Sequence, residues 1–145
     1  LLQSIFLHQT KLILSLTIGT YGYMAMEHLK DGTITEKYDV YSFGMVLLEL
    51  VCGRNYFRMP IKDQENPVEE NIDPNIKGKI APECWQVFID ITQRCVKHEP
   101  DERPAMGEVE VELEHALSLQ EQADIINSNC DYTLPSSIII DLGME

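Results

Sequence analysis

The stretch TEKYDVYSFGMVLLELVCG, residues 35–53, decides the fold. From position 40 onward its apolar side chains cover every side of a helical wheel, and a helix that is apolar all round is a buried one. The apolar run is too short to span a membrane, and Asp39 and Glu49 bound it. Gly53 stands where a helix C-terminal cap belongs. The stretch therefore predicts a buried helix at the centre of a helical domain.

Two amphipathic helices are predicted further along the chain. Pro82 opens the first, because proline is favoured in the first turn of a helix. Its apolar positions recur at helical spacing and are Cys84, Val87, Phe88, Ile91 and Cys95. The second is predicted over residues 104–120, with the apolar stripe Met106, Val109, Leu113, Ala116 and Leu117. Between the central helix and these two, residues 68–72 predict one helical turn in a loop-rich region.

Charge excludes several classes of partner. The 145-residue chain has a net charge of -13, which argues against binding to nucleic acid or to an anionic membrane surface. Residues 99–145 hold twelve acidic residues against the single basic residue Arg103. Four glutamates alternate along the last predicted helix, and a step of two residues turns them by about 200°, so they do not converge on one point. We interpret the acidic residues as a solvated face and tail, and not as a metal site.

The cysteines and histidines predict no metal centre and no disulfide framework. The cysteines are Cys52, Cys84, Cys95 and Cys130, and none of them forms a C-x-x-C pair. We expect buried or idle thiols in a reducing compartment. The four histidines are scattered along the chain.

The two ends of the chain differ from its middle. Residues 1–18 form a divergent apolar segment, but polar side chains interrupt it, so neither a membrane span nor a signal peptide is predicted. We therefore expect no direct membrane insertion. Residues 123–145 are predicted to be an acidic, loosely ordered tail, in which residues 138–140 could add one short strand or a docking patch.

Three ordered stretches carry a resemblance to a known family. They are GTYGYMAMEH (19–28), TEKYDVYSFGMVLLEL (35–50) and CVKHEPDERPAM (95–106). In this order they resemble the end of the activation segment, the central helix and a late loop of the C-terminal lobe of receptor-like protein kinases. The stretch IDPNIKGKIAPEC (72–84) is similar to the malectin-like, FERONIA-type group of plant receptor kinases. Over residues 19–122 the resemblance implies a mainly α fold, namely a partial kinase-like C-lobe.

The resemblance implies roles for individual residues. Thr20 matches the residue of the loop that receives the substrate peptide. Glu27 matches the acidic residue that ends the A-P-E motif, and Arg103 matches the arginine that pairs with it. Asp39 matches the aspartate that accepts hydrogen bonds from the backbone of the catalytic loop, although a helix N-terminal charge favoured by the macrodipole is the alternative. No residue of the chain matches a catalytic residue.

Some positions depart from the family pattern. Met26 replaces the proline of A-P-E, and His28 replaces the usual aromatic residue. The region after residue 54 is shorter than the family norm. Ser15 and Thr17 fall where phosphorylation sites of the activation loop would lie.

The missing motifs decide what the sequence predicts about activity. Phosphoryl transfer requires positioning of the nucleotide phosphates and neutralisation of their charge. The sequence contains no G-x-G-x-x-G loop, no V-A-I-K lysine, no H-R-D and no D-F-G. The complete family domain uses ATP and Mg²⁺, and we expect no cofactor for this chain. The parent family lies at the plasma membrane with its kinase domain in the cytosol, where we also expect this chain.

Three hypotheses follow from these observations. The first is a fragment of a receptor-like serine/threonine kinase domain that is inactive by itself. The second is a non-catalytic, kinase-like regulatory or decoy module that binds a protein partner or the missing kinase half. The third is an unrelated helical adaptor. Upstream coding sequence with H-R-D and D-F-G would separate the first from the others.

Overall fold

The central helix, α1, runs over Glu36–Cys52 in a computed structural model that describes residues 22–25, 27 and 35–142. At its start the side-chain oxygen of Thr35 accepts the Lys37 N–H at 3.2 Å, which satisfies one of the donors that a helix start leaves free. At its end Gly53 adopts φ 74°, and its N–H donates to the Glu49 carbonyl at 2.8 Å. The predicted buried helix and its glycine cap are confirmed.

Two long helices follow α1 in the chain. Helix α3 is Pro82–Cys95 and helix α4 is Met106–Ile126, and α3 packs against both α1 and α4. Gly44 makes the contact between α1 and α3 close, because a Cβ at this position would lie 2.7 Å from the Cys95 Cβ atom. Both predicted amphipathic helices are therefore present, and the predicted mainly α fold is confirmed. No β-strand occurs within residues 35–142.

Helix α4 ends six residues later than predicted, at Ile126 and not at 120. The apolar period fades after residue 120, and polar contacts replace it. The Gln120 amide accepts the Ala81 N–H at 2.8 Å and donates to the carbonyl of Lys79 and the carboxylate of Asp124. The buried Gln120 therefore stabilises this part of the helix by hydrogen bonds. The spacing of apolar residues does not predict such polar contacts.

Short turns connect the long helices. They are the 3₁₀ helices Tyr56–Arg58, Val68–Asn71 and Pro100–Glu102, and the single α-helical turn α2, Ile61–Gln64. The helical turn predicted for residues 68–72 is confirmed. None of the helices in the described part of the chain is both long and apolar enough to cross a membrane.

The C-terminal segment packs on the helices although it forms neither helix nor strand from residue 127 to 142. Ile140 and Leu142 are buried, and the Val68 N–H donates to the Ile138 carbonyl at 2.6 Å. Residues 138–140 form no strand, and Ile138 and Ile140 pack against the core of the chain itself. The docking patch stays a prediction. The segment boundaries 1–18, 19–122 and 123–145 stay predictions, and 1–18 lies outside the described residues.

Candidate functional site

Arg103 is the centre of the candidate site. It follows the 3₁₀ helix Pro100–Glu102 and precedes Pro104, and its backbone is extended at φ -81°, ψ 146°. A residue before proline is restricted to this region, because the proline ring clashes with a helical neighbour. The extended backbone turns the side chain inward, and Arg103 is only 2% exposed.

Every N–H of the Arg103 guanidinium has an acceptor. Nη1 and Nη2 donate to the two carboxylate oxygens of Glu27, at 2.5 and 3.1 Å. The other three bonds go to main-chain carbonyls: Nε to Lys97 at 2.8 Å, Nη1 to Lys37 at 2.9 Å and Nη2 to His98 at 3.1 Å. Arginine has five such donors in a rigid fork, and here all five are used. The burial of this charge is thereby compensated.

Two residues of helix α1, Tyr41 and Lys37, also contact Arg103. The guanidinium carbon of Arg103 lies 4.9 Å from the centre of the Tyr41 ring, which is a cation–π distance. The Lys37 ammonium donates to the Arg103 carbonyl at 2.5 Å, so Lys37 and Arg103 bind each other twice. Burial raises the pKa of Tyr41 to about 12, although the charge of Arg103 acts in the opposite direction. Tyr41 therefore stays neutral and serves as a packing surface.

The Glu27 carboxylate is held in its ionised form. Burial by itself raises its pKa, but the hydrogen bond from Arg103, a backbone hydrogen bond and the charge of Arg103 outweigh burial. The pKa of Glu27 therefore lies below its ordinary value of 4.5. A pair that is ionised on both sides, with every guanidinium donor in use, is suited to fastening two segments and not to proton transfer.

A second set of contacts fixes the residues just before Glu27 on α1. The Ser42 hydroxyl donates to the Tyr23 carbonyl at 2.7 Å, and the Tyr23 hydroxyl donates to the Glu49 carboxylate. Gly22 has φ 97°, and a Cβ there would lie 2.8 Å from an Asn55 side-chain oxygen. Burial and the Glu49 contact raise the pKa of Tyr23, so its hydroxyl keeps its proton and remains a donor. Tyr23, four residues before Glu27, is thus tied to α1 at two points.

Asp39 lies in the first turn of α1 and is half-buried. Within the ranges 22–25, 27 and 35–142, no side-chain or backbone donor is hydrogen-bonded to its carboxylate. Its position fits both a contact with a catalytic loop and a favourable helix N-terminal charge. Both interpretations of Asp39 stay open.

Other predicted positions cannot be placed. Thr20, Ser15 and Thr17 lie outside the described residues, as do Met26 and His28. Their assigned roles stay predictions.

Sequence reasoning missed four residues of the site. Lys37 and Tyr41 contact Arg103, and the bond between Tyr23 and Glu49 holds the segment before Glu27 on α1. None of the four stands out by residue type or spacing. Tyr41 lies within an apolar run, where an aromatic residue is expected to fill the core. The only signal in the sequence was the position of Tyr41 one turn after Lys37, which places both on one face of α1.

The described residues do not fit a magnesium–nucleotide site. In that part of the chain, no three His, Cys, Asp or Glu side chains come together as metal ligands. The phosphate-binding and metal-binding motifs of a kinase are also absent from the sequence. We therefore derive no step of phosphoryl transfer for these residues.

Comparisons with known proteins agree with this geometry. The profile of the family described as protein tyrosine and serine/threonine kinase matches residues 9–113. The receptor-like protein kinase ANXUR2 of Arabidopsis thaliana is 40% identical over 119 residues, which cover 73% of this chain and 14% of ANXUR2. The receptor-like protein kinase FERONIA of the same plant is 37% identical over 119 residues, which cover 73% of this chain and 13% of FERONIA. The chain therefore spans about a seventh of the length of these curated relatives.

A solved structure extends the likeness to the fold. It is the pseudokinase domain of BIR2, described as an immune regulator of the RLK/Pelle family. The two chains are 27% identical with a TM-score of 0.59, and the match covers 85% of this chain and 40% of the other. The matched profile, the receptor-like relatives and this shared fold lead to one conclusion: the chain belongs to the protein tyrosine and serine/threonine kinase family, and its described part is a portion of a plant receptor-like kinase C-lobe.

Proposed function

We propose that this chain is the part of a receptor-like serine/threonine kinase domain that fastens the end of the activation segment to the C-lobe. The two-bond contact between Arg103 and Glu27 carries the proposal, because it joins a residue at the end of that segment to a loop between α3 and α4. By itself the chain neither binds ATP nor transfers phosphate. The γ-phosphate of ATP, Mg²⁺ and the catalytic residues belong to the rest of such a domain.

The chemistry of the site supports a holding role. Glu27 is ionised, Arg103 has no free N–H, and Tyr41 is neutral, so none of the three is a general base or a nucleophile. A rigid, fully bonded pair keeps the substrate-side segment in one position, which is what a phosphoryl-transfer site requires of its scaffold. The proposal also implies a cytosolic location, as for the kinase domains of the parent receptors. The substrate of the complete domain would be a serine or threonine of a protein.

Calorimetric titration tests the nucleotide part of the proposal. We expect no saturable heat when ATP and Mg²⁺ are added to the folded chain, because the sequence lacks the phosphate-binding motifs. Cooperative thermal unfolding of the same sample would establish that the chain is folded. A stoichiometric, saturable signal would contradict this part of the proposal.

Amide hydrogen exchange tests the fastening part. In Glu27→Gln we expect faster exchange of the amides of residues 22–25 and 27, because the charge-assisted contact with Arg103 is lost. Glu110→Gln is the matched control, since Glu110 is an exposed acid on α4. Equal exchange of these amides in both variants would contradict the fastening role.

A second candidate function is a non-catalytic module that binds a kinase or another protein partner. The observation that favours it is the shared fold with the pseudokinase domain of BIR2. If it is correct, an excess of the chain would change the rate at which an intact receptor-like kinase phosphorylates a protein substrate. An unchanged rate in the presence of excess folded chain would count against it.

A further inference from the structure

A second buried acidic side chain lies outside the Arg103 site. Glu69 belongs to the 3₁₀ helix Val68–Asn71 and is 4% exposed. One carboxylate oxygen accepts the indole N–H of Trp85 at 2.8 Å. The other accepts two main-chain N–H groups of the C-terminal segment, those of Ser137 at 2.7 Å and Ile138 at 2.9 Å.

These bonds hold the end of the described chain onto its core. Val68 returns a bond by donating its N–H to the Ile138 carbonyl at 2.6 Å. Beyond this point Ile140 and Leu142 are buried, so apolar packing continues what the hydrogen bonds begin. We call the bonds between residues 68–69 and residues 137–138 the tail contact. Its strength depends on a carboxylate whose bonds to its donors are charge-assisted.

Ser137 takes part in the tail contact through its main-chain N–H, and its side chain is left free of that contact. Its N–H is bound to Glu69, while the residue itself is exposed to solvent. A cavity of about 590 Å³ adjoins Ser137 between α3, α4 and the C-terminal segment. Glu83 and His115 line this cavity, and no lysine or arginine is among its described lining residues. A phosphate added at Ser137 would therefore lie beside the Glu69 carboxylate that accepts the Ser137 N–H, with Glu83 on the same cavity wall.

We propose that the tail contact is a charge-sensitive switch, and that phosphorylation of the Ser137 hydroxyl opens it. In the modification a protein kinase acting in trans transfers the γ-phosphoryl group of ATP. A bond forms between the Ser137 Oγ atom and phosphorus, the bond from phosphorus to the leaving oxygen of ADP breaks, and the hydroxyl proton is released. The phosphate carries about -1.5 to -2 charges at neutral pH, which are repelled by the buried Glu69 carboxylate. Residues 137–142 leave the core, and Val68 and Trp85 become accessible.

Semisynthesis provides the direct test. Cys130 allows a synthetic peptide of residues 130–145 to be ligated to residues 1–129 with the native sequence preserved. One product carries phosphoserine at 137, and the matched control carries it at the adjacent exposed Ser136, for which no bond to Glu69 occurs among the described contacts. A third product is unmodified.

Two readouts follow the tail contact itself. Trp85 is the only tryptophan of the chain, so its emission and its quenching by acrylamide report on the Glu69 environment alone. Amide exchange at Val68 and Ile138 reports on the main-chain bonds, with Gly53, the residue that caps α1, as the reference amide. For phosphoserine 137 we expect red-shifted emission, stronger quenching and exchange at least about tenfold faster at both amides. Phosphoserine 136 should match the unmodified chain.

Other outcomes would overturn the proposal. One is an equal effect of the phosphate at 136 and at 137, because the effect would then come from net charge. Another is loss of helical circular dichroism together with the change in Trp85 emission, because the whole chain would then unfold. A double-mutant cycle checks the cause: Ser137→Asp should increase Trp85 quenching more in the native background than in Glu69→Gln. Identical increases in both backgrounds would mean that repulsion by Glu69 is not the cause.

Discussion

The guanidinium of Arg103 holds the carboxylate of Glu27 with two hydrogen bonds although 76 residues separate them in the chain. The Arg103 side chain is fully buried and that of Glu27 is 15% exposed. Because both charges have largely left water, each depends on the other for compensation. The variants that remove one partner are therefore the most informative ones.

Arg103→Ala should strongly destabilise the lobe. We expect the free energy of unfolding to fall by about 3 kcal/mol or more, because the substitution leaves Glu27 without its partner in a buried place. Arg94→Ala is the matched control, since Arg94 and its partner Glu108 are 35% and 49% exposed. An exposed pair contributes about 0–1 kcal/mol. Urea denaturation of both variants measures the difference, and similar losses would contradict the importance of burial.

The Glu27–Arg103 pair should also give stability a specific dependence on pH. The pKa of Glu27 is lowered in the folded state, so its contribution is complete above the ordinary pKa of 4.5 and is lost as the pH falls through the folded value. The difference in unfolding free energy between the native chain and Glu27→Gln should thus be constant from about pH 5 to pH 7 and shrink below pH 4.5.

This pH experiment needs dilute samples, because the sequence pI is about 4.6 and a chain near zero net charge tends to associate. A difference that stayed constant down to about pH 3 would show that the ionised form of Glu27 is not what stabilises the fold.

Two glycine-to-alanine substitutions should have opposite signs. At Gly53 the φ of 74° strains an alanine, and its Cβ would lie 2.7 Å from an Asp73 carboxylate oxygen. We expect Gly53→Ala to cost about 1 kcal/mol or more. Gly107 lies in α4, and no atom comes within 4 Å of the place that an alanine Cβ would take, so Gly107→Ala should stabilise by up to about 1 kcal/mol. Thermal unfolding compares them, and a stabilised Gly53→Ala would contradict the cap assignment.

Thiol labelling should distinguish one cysteine from the other three. Burial raises the pKa of Cys52 and Cys95 to about 12 and that of Cys84 to about 11, whereas Cys130 is exposed. A thiol reagent at pH 8 should therefore modify Cys130 alone in the folded chain and all four in denaturant. Cys130→Ser should abolish the fast reaction. Labelling of a second cysteine at a comparable rate in the folded chain would show that the core is open.

Part of this structure could be predicted because its causes are local. An apolar run and a capping glycine both act within residues 35–53, and the helix appears where they place it. The pairing of Glu27 with Arg103 was expected only through a family resemblance. Spacing within the chain contains no information about a contact across 76 residues.

The C-terminal segment shows where such prediction ends. Residues 123–145 have the composition of a loosely ordered tail. Helix α4 nevertheless continues into them to Ile126, because the buried Gln120 side chain is hydrogen-bonded to Ala81 and Lys79. Further on, the segment is fixed by Glu69, which stands next to another glutamate and has no feature that marks it as buried. A glutamate is expected on the surface of a protein. Glu69 is buried because its carboxylate accepts three hydrogen bonds, and the sequence does not show these donors.

The sequence by itself determined the central helix, its glycine cap and the two amphipathic helices, since periodicity and capping involve residues within a few turns of each other. Only the tertiary structure decided how the charges are held. Three of the five acceptors around Arg103 are main-chain carbonyls, and both tail donors to Glu69 are main-chain N–H groups. Nearly every residue carries these groups, so residue identity does not reveal which of them will meet a buried charge.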